Sequence, residues 1–179
     1  MENKIKLHDK NFRVLISAEE IDKAVTRVAE QLDERYKGRT PIFLGVLSGS
    51  FLFLADLVRK VHFDSQMAFV KISSYVGTES SGKITQQFGV DFVIEGRDII
   101  IVEDIVETGH SMTYLLDYLK AKNPASITIC TLFFKPEKFL YEYKIDYTAL
   151  SIGNEFIVGY GLDYNQLGRN LKDIYVIDE

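Results

Sequence analysis

Hydrophobic residues in the first part of the chain change from helical spacing to a continuous run. After Ser17 the apolar residues recur every three or four positions, and Glu20 follows Ser17 at the spacing of a capping box. This pattern predicts an amphipathic helix that stops at Gly38. Residues 41–47 are continuously apolar, as in a strand buried on both faces of a parallel sheet, and residues 48–61 predict a turn followed by a helix.

The middle of the chain continues with the same two patterns. Alternation over residues 66–76 predicts a strand, the polar Gly/Ser-rich stretch 77–83 predicts a mobile loop, and more strand is expected around 85–93. Two buried strands are predicted at 98–104 and 126–134, with a helix between them at 110–123. This strand–helix–strand order implies a parallel sheet with right-handed crossovers, which is an α/β fold.

The last third of the chain contains a short strand, an aromatic-rich turn segment and a final strand at 174–178. No Pro/Ser-rich linker separates it from the rest, and a chain of 179 residues suits one core. We therefore expect residues 1–179 to form a single domain.

Composition and charge narrow the functional classes. The chain has 46% hydrophobic and 26% charged residues, and we expect a cytoplasmic protein without a membrane span because no long uninterrupted apolar stretch is found. A lone cysteine, Cys130, lies in an apolar run and is interpreted as a small buried residue in a reducing compartment. The net charge of −5 argues against a nucleic-acid-binding protein.

The segment "IIIVEDIVETGHSM", residues 99–112, sets a buried strand directly against three acids, and we expect the strand to stop there. A strand-to-helix turn at the carboxyl edge of such a sheet can bind a phosphate, with Gly109 bringing the backbone close and Thr108 and Ser111 adding hydroxyl donors. Glu103 and Asp104 are suited to accept hydrogen bonds from ribose hydroxyls and to help hold Mg²⁺. The alternative is a solvated strand end with acids near a helix N-terminus. Neither an ATP-binding P-loop nor a dinucleotide-binding glycine motif is present.

These residues also carry a family resemblance. The segment 99–112 resembles the phosphoribosyl-diphosphate motif of the type I phosphoribosyltransferases, and similarity to the hypoxanthine-guanine branch extends through "VLSGSFLFLADL" (46–57), "KISSYVGTESSG" (71–82) and "FIVGYGLDYN" (156–165). The resemblance implies a mainly parallel sheet flanked by helices, with a small hood built from the terminal segments. It also implies a homodimer or homotetramer.

The implied reaction is transfer of a 5-phosphoribosyl group from phosphoribosyl diphosphate to hypoxanthine or guanine. The products are IMP or GMP and pyrophosphate, and Mg²⁺ is the cofactor. Ser48 and Gly49 match the turn that binds pyrophosphate through backbone amides, often with a non-proline cis peptide just before the glycine, although the family commonly has lysine at position 48. Ser74 and Tyr75 resemble the Ser-Tyr pair of a lid that closes over the reaction centre.

The resemblance implies further roles around the purine and the metal. Lys144 would hydrogen-bond the purine O6, Phe156 would stack on the ring, and Ile157 would offer backbone groups to its edge. Asp163 matches an acid for a second Mg²⁺, and Arg169 a basic residue that faces pyrophosphate.

Glu107 departs from the resemblance, because the family usually has aspartate there. A carboxylate beside purine N7 could accept or share its proton during transfer, and glutamate can do so if its rotamer compensates for the extra methylene. His110 is expected to be a peripheral contact of the phosphate turn, whereas His8 and His62 are expected to be structural.

Two other functions stay open at this point. A regulatory relative that binds RNA shares the scaffold but would need a basic face, which the sequence lacks. A transferase of the same fold could instead use xanthine, adenine or a pyrimidine, and the sequence does not distinguish xanthine from hypoxanthine or guanine.

Overall fold

The computed structural model describes residues 4–74, 84–88 and 93–178. The helices are α1 (Ala18–Tyr36), α2 (Phe51–Lys60) and α3 (His110–Lys120). The strands are β1 (Lys4–Leu7), β2 (Lys10–Ile16), β3 (Ile42–Leu47), β4 (Gln66–Ser74), β5 (Ile84–Phe88), β6 (Asp98–Val106), β7 (Ser126–Phe134), β8 (Tyr147–Ser151), β9 (Ile157–Val158) and β10 (Ile174–Ile177). A short 3-10 turn, Pro136–Lys138, follows β7.

The central sheet is mainly parallel, as the sequence predicts. Its strand order is β5-β4-β3-β6-β7-β8, and only the edge strand β5 runs antiparallel to its neighbour. Strands β3 and β6 lie inside the sheet and carry the continuous apolar runs, because both of their faces are covered. In β3, Phe43 packs into the core on the side of α1 and α2, while its neighbours Ile42 and Leu44 pack with the helix α3 residues on the opposite face.

Helix α1 begins with the predicted capping box. The Ser17 hydroxyl accepts a hydrogen bond from the Glu20 backbone N–H, and the Glu20 carboxylate accepts one from the Ser17 backbone N–H. The helix is amphipathic and its buried face packs on the sheet. None of the helices in the described part of the chain is long and apolar enough to cross a lipid bilayer.

A second sheet joins the two ends of the chain in the order β1-β2-β10-β9. The first two strands form a hairpin that was not predicted, and β10 pairs with both β2 and β9. This sheet is the hood expected from the terminal segments. Its own small core contains Phe12, Val158 and Tyr175.

The predicted end of β6 was wrong by two residues. The strand does not stop at the acids but runs on through Asp104 to Val106, and Ile105 and Val106 still pair with Phe133 and Phe134 of β7. Since successive side chains of a strand point to opposite faces, Glu103 and Asp104 point in different directions from one strand end.

Candidate active site

Glu103 and Asp104 form a close acidic pair at the carboxyl end of β6. Asp104 accepts a hydrogen bond from the Ile105 backbone N–H at 2.7 Å, and the Glu103 carboxylate accepts one from the Asp104 backbone N–H at 3.3 Å. Burial raises the pKa of Glu103 well above its usual value, and the neighbouring charge of Asp104 adds to this. Burial also raises the pKa of Asp104, although the Ile105 N–H and the charge of Arg169 oppose the increase. The charge of Arg169 therefore compensates the pair only in part.

The turn after β3 lies directly against this acidic pair. A Cβ added at Gly49 would overlap the Asp104 carboxylate, so only glycine fits at this approach. The peptide bond between Leu47 and Ser48 is cis. The Ser50 hydroxyl is buried and donates to the Val46 carbonyl at 2.6 Å, which ties the turn to the end of β3.

The phosphate turn predicted at residues 108–111 connects β6 to α3. Gly109 has a φ of 88°, in the left-handed region that favours glycine, and directly precedes α3. A cavity of about 140 Å³ is lined by Glu103 and by the residues from Ile105 to Met112, so it brings together the predicted ribose acid and the predicted phosphate turn. His110 is exposed at its rim, and its Nδ1 lies 2.6 Å from the Tyr141 hydroxyl.

Three aromatic side chains support this turn from one side. A Cβ on Gly109 would meet Phe139, Tyr141 and Tyr143, and the Tyr143 hydroxyl donates to the Gly109 carbonyl at 2.8 Å. The sequence reasoning missed this cluster, although the alternating aromatics at positions 139, 141 and 143 were a visible signal.

Glu107 is held by lysines, but not by the lysine that the sequence reasoning selected. Lys135 Nζ lies 2.7 Å from one carboxylate oxygen of Glu107 and also donates to the Glu155 carbonyl at 2.9 Å. Lys138 Nζ lies 3.4 Å from the other oxygen of Glu107. The Lys135 side chain is only 3% exposed, so its charge is balanced by these acceptors rather than by water.

Lys144, which was predicted to contact the purine O6, is not one of these two lysines. Lys144 is exposed and precedes β8, two residues before Asp146, whose backbone N–H bonds to Ile129 in the middle of β7. An exposed ammonium stays hydrated and makes a poor buried donor for a base. Lys135, by contrast, directly follows the carboxyl end of β7 and lies against Glu107.

Phe156 and Ile157, which were predicted to contact the purine, lie at strand β9 of the hood. Phe156 is 46% exposed and packs edge-on against Tyr164, at a ring distance of 5.8 Å. Its neighbour Ile157 is buried and pairs with Val176 of β10. Phe156 is therefore a surface ring supported by a second ring.

Arg169 and Asp163 form an ion pair in the same loop. Their closest atoms are 2.6 Å apart, and Arg169 also donates to the Gly161 carbonyl at 2.7 Å. The second oxygen of Asp163 accepts a hydrogen bond from the Gln166 backbone N–H at 2.8 Å. These bonds close the loop on itself. The loop also lies directly against the turn at Gly49, since a Cβ on Gly161 would overlap the Gly49 carbonyl.

The predicted lid lies mostly outside the described residues. Ser74 is the last residue of β4, and Tyr75 and residues 77–82 fall in the part of the chain that the structure does not describe. Their assignment to a closing loop stays a prediction.

The donor set at this edge suits Mg²⁺ bound together with a ligand. Within residues 4–74, 84–88 and 93–178, no three Asp, Glu, His or Cys side chains converge on one point as a ready cation cage. Mg²⁺ usually takes one or two carboxylates and completes its shell with water and substrate phosphates. The Glu103–Asp104 pair, whose charge Arg169 compensates only in part, fits that requirement.

Comparison with known proteins gives consistent results. Residues 17–165 match the phosphoribosyl transferase domain family. The chain is 43% identical over 180 residues to a hypoxanthine-guanine phosphoribosyltransferase of Streptococcus pneumoniae, covering 100% of this chain and 97% of that one. It is 42% identical to the Lactococcus lactis protein of the same name, with 92% and 90% of the chains covered. A Bacillus anthracis hypoxanthine-guanine phosphoribosyltransferase, solved with HEPES in its active site, superposes with a TM-score of 0.88 at 34% identity, over 97% of this chain and 100% of that chain.

Proposed function

This chain belongs to the phosphoribosyl transferase domain family, and from that premise we propose that it is a purine salvage enzyme of the hypoxanthine-guanine type. It transfers the 5-phosphoribosyl group of phosphoribosyl diphosphate to N9 of hypoxanthine or guanine. The products are the nucleoside monophosphate and pyrophosphate.

The observation that carries the proposal is the contact between Asp104 and Gly49. It joins the acids that suit a ribose and a metal to the turn proposed to bind pyrophosphate. The two ends of the bond that breaks, the ribose C1 and the diphosphate oxygen, therefore have their binding groups side by side. The alternative interpretation, a solvated strand end, does not account for the close packing of Asp104 against the turn at Gly49.

We assign the ribose 5-phosphate to the turn formed by Thr108, Gly109, His110 and Ser111. Free N–H groups and hydroxyls at the start of α3 suit a phosphate dianion, and the positive end of the helix dipole favours it. Glu103 and Asp104 accept hydrogen bonds from the ribose hydroxyls. Such binding holds the sugar in position for attack at C1.

Mg²⁺ is the proposed cofactor, held by Glu103 and Asp104 and, at a second position, by Asp163. When bound with the diphosphate it would neutralise the charge of the leaving group. Asp163 keeps free lone pairs for this even though each of its oxygens already accepts one protein hydrogen bond. Arg169 adds a positive charge facing the pyrophosphate.

The 6-oxopurine specificity is assigned to Lys135. An ammonium has three N–H donors. Among the described residues, Glu107 and Glu155 take two of them, so one donor stays for the O6 of hypoxanthine or guanine. Phe156 is proposed to stack on the base, and Ile157 to contact its edge through the backbone.

Glu107 is proposed to handle the N7 proton of the base during transfer. Burial alone would raise the pKa of Glu107, but hydrogen bonds and charge from Lys135 and Lys138 hold it below its usual value. The carboxylate is therefore ionised at neutral pH and able to accept a proton. Closure of the segment around Ser74 and Tyr75 would exclude water from the oxocarbenium-like state.

One assay tests the function. Pyrophosphate release is measured with phosphoribosyl diphosphate, Mg²⁺ and each of hypoxanthine, guanine, xanthine and adenine in turn. Release with hypoxanthine and guanine and almost none with adenine supports the proposal. A preference for adenine, or no release with any base, would rule it out.

A further inference from the structure

Glu107 has an unusual set of neighbours for a half-exposed carboxylate. Each of its two oxygens faces a different lysine, Lys135 at 2.7 Å and Lys138 at 3.4 Å. Lys135 is buried and is already assigned to the base, whereas the Lys138 side chain is 39% exposed and has so far been given only an effect on the pKa of Glu107. An exposed lysine loses rotamer entropy when it is held on a partner. Lys138 nevertheless lies against the second oxygen of Glu107, where it adds a second cation to the same carboxylate.

The turn that carries Lys138 is fixed from both sides. The Lys135 backbone N–H donates to the Val106 carbonyl at 3.0 Å, which anchors the start of the turn to the end of β6. The Lys138 backbone N–H closes the turn on the Lys135 carbonyl at 3.1 Å. The Glu137 carboxylate accepts from the Asn154 side chain at 2.8 Å, which ties the turn to the loop before Phe156. Lys138 thus projects from a prearranged turn.

The length of Glu107 explains why a second holder is useful. A glutamate has one more rotatable bond than an aspartate, so its carboxylate can adopt more orientations, and only some of them face a bound base. A single contact with Lys135 leaves the plane of the carboxylate free to turn about that contact. A second contact on the other oxygen removes this freedom, and the two together define one orientation.

We propose that Lys138 is a positioning residue for phosphoribosyl transfer, which holds the second oxygen of Glu107 and so allows a glutamate to present its carboxylate to the acceptor base. This inference rests on the proposed function. Lys138 acts through Glu107 and does not itself touch the base.

The test compares Lys138→Met with Lys138→Arg, each in the wild-type chain and in a Glu107→Asp chain. Aspartate is one methylene shorter and withdraws from Lys138, so the effect of Lys138 should depend on the glutamate. Lys23→Met is the control, because Lys23 is an exposed lysine that forms an ion pair with Glu19 on α1, outside this cluster. For each protein, kcat and the KM for phosphoribosyl diphosphate are measured with hypoxanthine from pH 5 to 9, together with the melting temperature.

We expect Lys138→Met to lower kcat about fivefold, as expected for loss of one partly exposed ion pair, with an unchanged KM for phosphoribosyl diphosphate. The acidic limb of the pH profile should move up by about half a unit, because Glu107 loses one of its two cations. Lys138→Arg should restore most of kcat, and Lys138→Met should have little effect in the Glu107→Asp chain. A purely structural role would lower the melting temperature without moving the pH profile.

Three results would overturn the inference. They are an unchanged kcat and pH profile in Lys138→Met, an equal loss in both backgrounds, or a loss equal to that of Lys23→Met. If the wild-type chain is active and one of these results is found, only the role of Lys138 fails. If the wild-type chain releases no pyrophosphate with any 6-oxopurine, the proposed function fails and the role of Lys138 fails with it.

Discussion

Gly161 of the hood packs directly on the carbonyl oxygen of Gly49, so closely that a Cβ at position 161 would overlap that oxygen. Gly161 also accepts a hydrogen bond from the Arg169 side chain, and its N–H bonds to the Arg169 carbonyl. The loop that carries the proposed metal ligand Asp163 is therefore seated on the turn that carries the proposed pyrophosphate site. The position of this loop relative to the turn therefore depends on residue 161 having no Cβ atom.

Gly161→Ala should raise the KM for phosphoribosyl diphosphate at least tenfold, because the new Cβ displaces the Gly49 turn. The φ of Gly161 is 102°, so alanine also adds backbone strain of about 1–2 kcal/mol. Gly38→Ala separates the two effects, since Gly38 also has a positive φ, 73°, but nothing lies within 4 Å of its added Cβ. Both variants should have a lower melting temperature than the wild type. A KM that rises equally in both would contradict the proposed contact.

Much of the central sheet could be predicted because its signals are local. The capping box at Ser17 and the apolar runs of β3, β6 and β7 each identify an element without reference to the rest of the chain. The hairpin of β1 and β2 was missed even though its residues alternate, because its stability depends on pairing with β10 at the other end of the chain. Alternation alone does not reveal that pairing, because it joins residues far apart in the sequence.

Asp104→Asn should raise both the KM for phosphoribosyl diphosphate and the Mg²⁺ concentration needed for half-maximal activity. The change removes one charge from the pair that is proposed to bind the ribose and the metal, while the amide keeps the shape of the side chain. Asp117→Asn is the matched control, because Asp117 is exposed on α3. Steady-state kinetics at several Mg²⁺ concentrations make the comparison. An unaltered Mg²⁺ requirement in Asp104→Asn would contradict its role as a ligand.

Glu107→Gln should slow transfer by roughly 10²-fold or less while IMP binding is kept, since water can replace part of a general base. The pH dependence has a definite sign. The pKa of Glu107 is lower in the folded protein than in the unfolded chain, so the stabilisation by its lysines is present at pH values above the unfolded pKa. It is lost as the pH falls through the lower, folded value.

The measurement is the free energy of unfolding of the wild type and of Glu107→Gln between pH 2.5 and pH 7. The difference between them should be largest at neutral pH and should shrink only below the usual glutamate range. A difference that disappears already above pH 5 would mean that the lysines do not lower the pKa of Glu107.

The candidate site was predicted unevenly, and the lysines show why. Lys135 carried a usable signal, because it directly follows a buried strand at the edge where parallel strands present ligand-binding residues. Lys144 was selected by its spacing from Phe156, but the chain between β7 and β8 turns back over α3 and leaves Lys144 exposed before β8. Spacing along a loop does not determine which side of the sheet a residue reaches.

Lys135→Ala should therefore narrow the preference for hypoxanthine over adenine, whereas Lys144→Ala should leave it unchanged. The Lys135 ammonium donates only, so it matches O6 of hypoxanthine and faces the amino donor of adenine. A site built to hydrogen-bond one group can reject an analogue that lacks it by about 10⁴-fold or more. The measurement is the ratio of kcat/KM for the two bases on one preparation of each variant. Lys135→Ala removes the buried partner of Glu107, but any loss of folded protein that follows cancels in this ratio. A ratio that changes in Lys144→Ala and stays constant in Lys135→Ala would return the base contact to Lys144.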